Sequence, residues 1–413
     1  MTKKVTASFK FTQATHWLLL AIMWVAFLLR TVNLSGQSLW RDEVDAINFS
    51  GWVVTRLISG LFKTGHNGPL FFLLLRFWRS FTGNSEFALR YPSALLGVLA
   101  LPLGFVLARQ LGLSRTGGLL LSVLLATSPY LVWYGQEAKM YTMLLALVLL
   151  AFIAYLRALS PSAHQHKGRT RRWWIIFVAA TSLSFYTHIL APLMLPVYGL
   201  VALLNHQQLR QHWRGWLLSM SCLTVPYLPL VLWQAPLLSN GYQSGHPFYP
   251  LQKQFLILLQ LYSQGLVSFA GVLPLILFVF LFLAGILLNQ SSPAKTLPLP
   301  PTGRITLTLW ALLPPLLIYL ISLRIQVFED RYLIYITPAF YLLVVVGLLL
   351  IRQYSAPVAA LSLSLILLVN ASGIWQQQRQ PIKADFRAAG AYLASQNYTL
   401  TDYGADALLA IHL

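Results

Sequence analysis

The 413-residue sequence has little charge, and acidic residues are scarcest: there are ten, against 29 lysines and arginines. Charged residues make up 9% of the chain, whereas soluble domains carry about 25%. With 57% hydrophobic residues and a mean hydropathy of +0.66, the composition excludes an ordinary soluble domain and indicates a polytopic membrane protein. The single cysteine, Cys222, excludes a framework of disulfides within the chain.

The net charge of +19 has an explanation that does not involve nucleic acid. Basic loops on the cytoplasmic side and contact with anionic lipid account for such an excess in membrane proteins. We therefore expect the lipid bilayer as a partner and no nucleic acid.

About 20 apolar residues cross a bilayer. The apolar runs predict eleven spans, at 15–31, 91–108, 117–134, 140–157, 173–188, 189–205, 216–233, 264–288, 305–323, 332–351 and 356–374. We expect the first to be an uncleaved span that starts in the cytoplasm, because no small-residue cleavage site follows it. The run 69–81 is left out because it has only 13 residues and contains Arg76 and Arg79, which is typical of an interfacial segment whose basic side chains meet water or lipid phosphate.

The distribution of charge supports a surface position for 69–81. With that choice all ten acidic residues fall on the outer side, and the cytoplasmic side is basic, as the positive-inside rule requires. The predicted organisation is a transmembrane module at 1–374, whose first outer loop (32–90) holds interfacial helices, followed by a short outer-face tail at 375–413. A short helix is expected in that tail near 385–389.

The stretch Leu39-Trp40-Arg41-Asp42-Glu43-Val44-Asp45 places three carboxylates just after the first span. Acidic residues beside a membrane span are costly to keep and are candidates for a functional site. Further reactive side chains in the predicted outer loops are His66, Glu137, Lys139, Tyr141, His188, Arg331 and Tyr332. Carboxylates act as general bases or metal ligands, and lysine or arginine neutralises phosphate, so this set favours reaction at a phosphorylated lipid.

Structural explanations stay open for these residues. Asp42 and Glu43 are also suited to cap or solubilise an interfacial helix that starts near Val44, and Trp40 and Trp133 either belong to the interfacial aromatic belt or stack on a sugar. Ordinary interfacial, turn or helix-end roles stay open for His66, Glu137, Lys139, His188 and Arg331. A polysaccharide polymerase, a lipid-linked sugar flippase and a non-catalytic scaffold are the competing classes of function. A flippase or transporter would place polar groups inside the bundle, where this sequence has few.

The blocks LWRDEVDA, HNGPLFFLLLRFW, GNSEFALRYPSAL, SPYLVWYGQEAKMYTMLLAL, YTHILAP and EDRYLIYITPA follow one another along roughly residues 15–395. In this order they resemble the bacterial membrane glycosyltransferases related to protein O-mannosyltransferases and lipid A aminoarabinose transferases. The resemblance implies an all-α polytopic membrane protein with the GT-C glycosyltransferase fold. It also implies inverting transfer of a sugar from a polyprenyl-phosphate carrier to an acceptor (lipid, glycan or protein) on the outer face of the bacterial cytoplasmic membrane.

The resemblance also implies roles for individual residues. Asp42 matches the catalytic aspartate and is expected to be the general base, with its neighbour Glu43 as its support. Glu137 matches a second acidic position, which would bind sugar hydroxyls. The leaving phosphate would be met by Lys139, Arg331 or Arg76, and the remaining substrate-binding candidates are Tyr141, His66, His188 and Tyr332. No cofactor is required by the sequence; if a divalent metal takes part, Glu137 and His66 are its candidate ligands.

Two departures from the family pattern affect these assignments. Lys139 stands where an arginine is common, which keeps the charge, and Gly68 stands where a second proline is common, beside His66. A third departure is expected after the last span, where the family usually carries a larger outer domain and we expect the short tail 375–413.

Overall fold

The computed structural model describes residues 13–60, 67–160, 167–234, 245–267, 271–288 and 298–395. Within these ranges the chain is helical and contains no strand, which confirms the predicted all-α fold class. In chain order the helices are α1 (Gln13–Thr31), α2 (Arg41–Gly51), α3 (Val54–Ser59), α4 (Leu70–Thr82), α5 (Glu86–Leu111), α6 (Arg115–Thr127), α7 (Pro129–Gly135), α8 (Tyr141–Leu159), α9 (Lys167–Phe185), α10 (Met194–Leu204), α11 (His206–Thr224), α12 (Leu228–Gln234), α13 (Leu251–Gln264), α14 (Leu273–Leu287), α15 (Pro301–Ser322), α16 (Thr337–Tyr354), α17 (Ala356–Arg379) and α18 (Phe386–Ser395). Short 3₁₀ helices lie at Ala191–Leu193, Val225–Tyr227 and Asp330–Ile336.

Six helical segments in the described ranges are long and apolar enough to cross a membrane. They are α1, α5, α8, α15, α17 and the segment Asp330–Tyr354, which ends with α16. A seventh candidate is the pair α6 and α7, whose axes are bent by 59°. The chain is therefore a multi-pass membrane protein, but the predicted number of eleven spans is not confirmed.

Several of the other predicted spans are interrupted in the structure and therefore do not form one long helix. Helix α9 ends at Phe185, so only 173–185 of the predicted span 173–188 is helical, and the chain leaves the helix at 186–190, where the sequence predicted a break. The 3₁₀ helix Val225–Tyr227 divides 216–233. The run 264–288 is interrupted near Gly265 and Gly271, whose φ angles of 81° and 68° belong to the left-handed region.

Helix α4 corresponds to the run 69–81, which was predicted to be interfacial. Its 13 residues are about 20 Å long, which is shorter than the hydrocarbon core of a bilayer. The arginines of α4 donate to protein carbonyls. Arg76 donates to the carbonyls of Ser50, Gly51 and Trp52, and Arg79 donates to the carbonyl of Ile47. Because a helix end leaves carbonyls unpaired, the two arginines fasten α4 to the C-terminal end of α2.

The bend between α6 and α7 is stabilised by a buried arginine from α1. Pro129 has no N–H, so the carbonyl four residues earlier, that of Leu125, lacks its helical donor. Arg30 donates to that carbonyl at 2.9 Å and to the carbonyl of Ala126 at 3.0 Å. A Cβ atom at Gly135 would lie 3.1 Å from Arg30 Cδ, so this glycine leaves the room that the arginine needs. The bend directs the residues after α7 towards the candidate site.

The centre of the bundle is formed by α8 and α16, which are mostly buried, whereas α1 and α17 are largely exposed. Helices α14 and α16 approach closely through two glycines. A Cβ atom at Gly285 would lie 2.1 Å from the carbonyl oxygen of Leu343, and one at Gly347 would lie 2.1 Å from that of Leu281. Small residues at such crossings let helix backbones touch, which is how apolar helices associate in lipid.

The segment after α17 folds back onto the residues before α2. Gln37 donates to the carbonyl of Gln377 at 2.8 Å, and the backbone N–H of Arg387 donates to the Ser38 hydroxyl at 3.0 Å. The predicted short helix near 385–389 is confirmed as α18 (Phe386–Ser395). These contacts bring Lys383 next to the acidic stretch at the start of α2.

Candidate active site

Four segments that are far apart in the sequence meet at the start of α2. They are the first turn of α2, the connection 136–140 between α7 and α8, the break 186–190 after α9, and the residues 329–332 before α16. Asp42 Oδ2 lies 3.0 Å from Arg331 Nη1, and the backbone N–H of Ala138 donates to Glu43 at 2.9 Å. The ring of His188 lies 4.8 Å from that of Tyr332. The structure therefore gathers most of the candidate residues into one site.

Glu43 is the fully buried centre of this site. The Arg90 guanidinium binds both of its carboxylate oxygens, at 2.7 and 2.8 Å, and Lys383 Nζ lies 2.9 Å from Oε2. Burial by itself raises the pKa of Glu43, but Lys383 and Arg90 outweigh it and bring the pKa to about 2. With the Ala138 N–H as a further donor, the carboxylate is charged and fully engaged.

Arg90 also connects Glu43 to the chain before α2. Besides Glu43, its guanidinium donates to the carbonyls of Leu34, Gln37 and Ser38, at 2.7 to 3.1 Å. This buried network fixes the entrance to α2, where two carboxylates in the first turn also suit the positive end of the helix dipole.

Asp42 differs from Glu43 in being accessible. Successive residues of a helix point about 100° apart, so the two side chains leave α2 in different directions. The Asp42 side chain is 26% exposed, whereas that of Glu43 is 0% exposed. Asp42 is held by one ion pair, to Arg331 at 3.0 Å, and therefore combines a fixed orientation with access from outside the protein.

Arg331 lies among aromatic rings. The guanidinium carbon is 5.2 Å from the ring of Trp40, 5.9 Å from that of Tyr332 and 6.0 Å from that of Tyr141. Besides Asp42, Glu329 lies 3.9 Å from Arg331 Nε, but that buried nitrogen makes no hydrogen bond to the described residues. A planar cation held against rings, with one donor not engaged, is suited to binding an anion.

Glu137 is a buried carboxylate with one free oxygen. Oε1 lies 3.9 Å from Lys383 Nζ, and Oε2 has no hydrogen-bond partner among the described residues. Burial raises the pKa of Glu137 to about 7, and the charge of Glu43 adds to the effect of burial while Lys383 opposes it. Glu137 therefore changes protonation state near neutral pH.

Lys139 follows Glu137 in the same tight connection, where its backbone N–H donates to the Glu137 carbonyl at 2.7 Å. Its side chain is buried, and burial lowers the pKa of the amine, whereas the carboxylates of Asp42 and Asp45 act in the opposite direction. The backbone carbonyl of Lys139 accepts a hydrogen bond from Ser93 at 2.9 Å, which anchors the connection to α5. Lys139 thus adds a second cation on the Asp42 side of the site.

His188 is buried and neutral. Burial lowers the pKa of His188 to about 3, and the positive charges of Arg331 and Lys139 act in the same direction. Its Nδ1 accepts a hydrogen bond from the backbone N–H of Leu190 at 3.2 Å, so the proton of the neutral ring resides on Nε2. Nε2 has no partner among the described residues, which leaves an uncharged donor beside Tyr332.

Two residues of the site were not assigned a role from the sequence. Lys383 lies 340 residues after its partner Glu43, in the tail, and no local pattern marks it. Arg90 belongs to the block GNSEFALRYPSAL, but the sequence did not indicate that it lies 2.7 Å from Glu43. One general argument applies to both residues. If an acidic residue of so apolar a chain is buried, a cation must be buried beside it.

Other candidates lie elsewhere or outside the described residues. Arg76 binds the C-terminal end of α2, about 12 Å along the helix from Asp42. His66 falls among residues that the structure does not describe. Trp133 is buried beneath Lys383, whose Nζ lies 5.2 Å from the ring centre.

The described residues do not fit a divalent metal. No group of three or more histidine, cysteine, aspartate or glutamate side chains with metal-binding geometry occurs among them. Glu137, the candidate ligand, shares its surroundings with Glu43, whose charge is already balanced by Arg90 and Lys383. A divalent cation would meet repulsion from Lys383 and Arg331 there. We therefore derive the chemistry from the side chains alone.

Comparisons with known proteins agree with this architecture. Residues 66–233 match the sequence profile of the family described as dolichyl-phosphate-mannose-protein mannosyltransferase. No curated protein sequence matches the chain significantly. The matched region covers the connection 136–140 and His188 but neither Asp42 nor Arg331.

Solved structures match over almost the whole chain. ArnT from Cupriavidus metallidurans in the apo state aligns with 97% of this chain and 85% of its own length, at 16% identity and a TM-score of 0.62. The structure of the same protein bound to undecaprenyl phosphate aligns with 97% and 75%, at 17% identity and a TM-score of 0.56. The oligosaccharyltransferase from Archaeoglobus fulgidus, in complex with zinc and sulfate, aligns with 94% and 56%, at 13% identity and a TM-score of 0.61.

This chain is shorter than several of the proteins it matches. It spans 56% of the archaeal protein and 33% of a chain in the yeast protein O-mannosyltransferase Pmt1-Pmt2 complex bound to the sugar donor. That last match covers 54% of this chain at 15% identity and a TM-score of 0.45. The chain has the GT-C glycosyltransferase fold, as the sequence predicted.

Proposed function

We propose that this protein is an inverting glycosyltransferase that moves a sugar from a polyprenyl-phosphate carrier to an acceptor on the outer face of the cytoplasmic membrane. The observation that carries the proposal is the pairing of an accessible Asp42 with Arg331 at 3.0 Å, beside a Glu43 that is fully buried and neutralised. The GT-C fold supports it, as does the ArnT structure bound to undecaprenyl phosphate.

Asp42 is the general base. Its carboxylate takes the proton from an acceptor hydroxyl or amine as that group bonds to the anomeric carbon of the sugar. The bond between the anomeric carbon and the phosphate oxygen breaks on the opposite side, and polyprenyl phosphate leaves with the electron pair. Arg331 orients the Asp42 carboxylate, and general base catalysis of this type contributes about 100-fold to 10,000-fold.

The leaving phosphate is stabilised by Arg331 and Lys139. Both cations are buried or half-buried near Asp42, and the N–H at Arg331 Nε makes no hydrogen bond within the described part of the chain, so it is available to the phosphate. Charge that develops on the phosphate oxygens is stabilised strongly in such a site, because water is largely excluded. The neutral His188 adds the N–H at Nε2, which donates to a phosphate oxygen or a sugar hydroxyl.

Glu137 holds the sugar. Its free Oε2 accepts a hydrogen bond from a hydroxyl when the residue is charged and donates one when it is protonated, and a pKa of about 7 makes both forms available. Glu43, Arg90 and Lys383 are positioning residues that fix the first turn of α2 and thereby the direction of Asp42.

The test compares the cell-envelope glycolipids and glycoproteins of cells that carry only the wild-type chain, Asp42→Asn or Glu86→Gln. Glu86 is the matched control, because it is an acid of the same predicted outer loop that pairs with the exposed Arg387. Mass spectrometry should show one sugar modification that disappears in Asp42→Asn and persists in Glu86→Gln, at equal protein levels. Product at wild-type levels in Asp42→Asn would exclude Asp42 as the base and favour a scaffold or a flippase.

A further inference from the structure

A groove of about 810 Å³ lies between α9 and α11, away from the candidate active site. One face of α9 and one face of α11 line it, since its residues recur at helical spacing: Thr170, Trp174 and Val178 on α9, and Gln211, Gly215 and Ser219 on α11. Its size falls in the range of about 300 to 1,000 Å³ typical of small-molecule sites.

Two features of α11 shape the groove. Gly215 has no side chain, and a Cβ atom there would lie 2.5 Å from Nε1 of Trp174, so the indole rests against bare backbone. At His212 the backbone leaves helical geometry (φ −120°, ψ 16°), which kinks α11 at the same level. Gly215 and the kink at His212 both belong to the lining of the groove.

The groove has a basic end and an apolar end. Arg171 lies at one end with the polar side chains of Thr170 and Gln211, and further exposed arginines, Arg172 and Arg210, lie on the same turns. Towards the other end the lining becomes apolar, with Ile175 and Leu218 57% and 67% exposed. The sequence has no acidic residue between Glu137 and Glu329, so neither helix carries a carboxylate for these arginines.

We propose that this groove binds an anionic glycerophospholipid, with the phosphate at Arg171 and an acyl chain along the apolar part. An arginine fork suits a phosphate, and the exposed apolar side chains match a hydrocarbon chain. By the positive-inside rule the basic end faces the cytoplasm, where anionic lipid headgroups attract basic clusters between helices. The lipid would be an addition to the donor carrier, whose phosphate reacts at the opposite face.

Cys222 offers a direct readout, because it lines the groove, is exposed and is the only cysteine of the chain. The purified, delipidated full chain in detergent is treated with N-ethylmaleimide, with and without phosphatidylglycerol or phosphatidylcholine of the same acyl chains. Phosphatidylglycerol at about ten times its Kd should slow alkylation of Cys222 about tenfold. Phosphatidylcholine should protect much less.

Variants separate specific binding from general shielding by detergent and lipid. Arg171→Gln should raise the Kd for phosphatidylglycerol, obtained from the protection at increasing lipid concentration, at least about tenfold, since a hydrogen bond to a charged group is lost. Arg352→Gln, an exposed arginine of α16 on the same predicted face, should leave it unchanged. Arg171 is exposed, so its replacement leaves folding intact, which the thermal denaturation temperature verifies.

Four results would overturn the proposal. They are equal protection by the two lipids, full protection in Arg171→Gln, protection by undecaprenyl phosphate alone, and lipid-independent protection that grows with protein concentration. The third would assign the groove to the carrier lipid, and the fourth would assign it to an interface between two copies of the chain. None of these outcomes depends on whether Asp42 is the catalytic base.

Discussion

Lys383 Nζ lies 2.9 Å from Glu43 Oε2, although 340 residues separate the two in the sequence. The same nitrogen lies 3.9 Å from Glu137, so one lysine of the tail balances two buried carboxylates. The segment after the last long helix is therefore part of the site, and its lysine side chain is 6% exposed, nearly as buried as Glu43 at 0% and Glu137 at 1%.

Replacing Lys383 should destabilise the protein, because Glu43 and Glu137 lose the positive charge that lies next to them. Breaking a buried ion pair costs about 3 to 5 kcal/mol when one charge is left alone; because Glu43 keeps Arg90, we expect about 2 kcal/mol for Lys383→Met. The measurement is thermal denaturation of the full chain in detergent. Arg387→Gln, which breaks the exposed pair with Glu86, is the control and should cost less than about 1 kcal/mol. Equal effects of the two variants would show that the tail, rather than the Lys383 charge, stabilises the site.

Loss of charge should reduce stability at Glu43 and activity at its neighbour Asp42. Glu43→Gln leaves the buried Arg90 without its carboxylate and should cost at least about 3 kcal/mol. Asp42→Asn should leave the denaturation temperature almost unchanged and reduce transfer at least about 100-fold. Both variants are measured for thermal denaturation and for transfer of a radiolabelled sugar from its undecaprenyl-phosphate donor. A stable, inactive Glu43→Gln together with an active Asp42→Asn would reverse the two roles.

Arg331→Lys keeps the charge but removes the planar fork that contacts Asp42 and lies against Trp40. Lysine and arginine are not equivalent at such a site, so we expect transfer to fall at least about tenfold while the chain stays folded. Arg41→Lys is the control, since Arg41 is exposed at the start of α2, next to Asp42. A rate for Arg331→Lys equal to that of Arg41→Lys would show that positive charge alone is required there.

Glu137 should make stability depend on pH in an unusual direction. Its pKa is about 7 in the folded protein and 4.5 in the unfolded chain, so the folded state holds the proton more tightly. The stability from this group is fully present below pH 4.5 and is lost as pH rises to about 7, with a total of about 3 kcal/mol. Glu137→Gln should therefore flatten the pH dependence and be more stable than the wild type above pH 7.

The pH series has an internal control. Glu43 has a pKa of about 2, below its ordinary value of 4.5, so its contribution is present above pH 4.5 and is lost as pH falls towards 2. Denaturation temperatures of wild type and Glu137→Gln between pH 5 and pH 8 isolate Glu137, because Glu43 stays charged throughout. Parallel curves for the two proteins would show that Glu137 does not titrate in this range.

The class of fold and the convergence of the predicted outer segments could be predicted from the sequence. Both depend on where an apolar, membrane-spanning chain tolerates polar residues. Asp42, Glu137, His188 and Arg331 stand at the ends of apolar runs, and helix ends on one face of a bundle lie near one another. The order of the blocks then identified the fold.

Features that depend on particular contacts could not be predicted. Arg76 and Arg79 of α4 donate to carbonyls at the end of α2, and no local pattern in the sequence marks these contacts. Lys383 and Arg90 reach Glu43 only after the chain has folded back on itself. The predicted count of eleven spans is not confirmed where a proline or a left-handed glycine divides an apolar run, because hydropathy does not register the backbone.

The contacts of Arg30 affect how the chain inserts into the membrane during its synthesis. The carbonyls that it binds, those of Leu125 and Ala126, belong to residues synthesised 95 and 96 positions later. At roughly 5 to 20 residues per second, α1 waits about 5 to 20 s in the membrane before Arg30 can bind these two carbonyls, and until then its bond to the Ala26 carbonyl lies within α1 itself. During that interval the side chain reaches water at the bilayer surface. Nascent chains arrested before Leu125 should therefore leave Arg30→Cys accessible to a water-soluble thiol reagent, and chains arrested well beyond α7 should protect it.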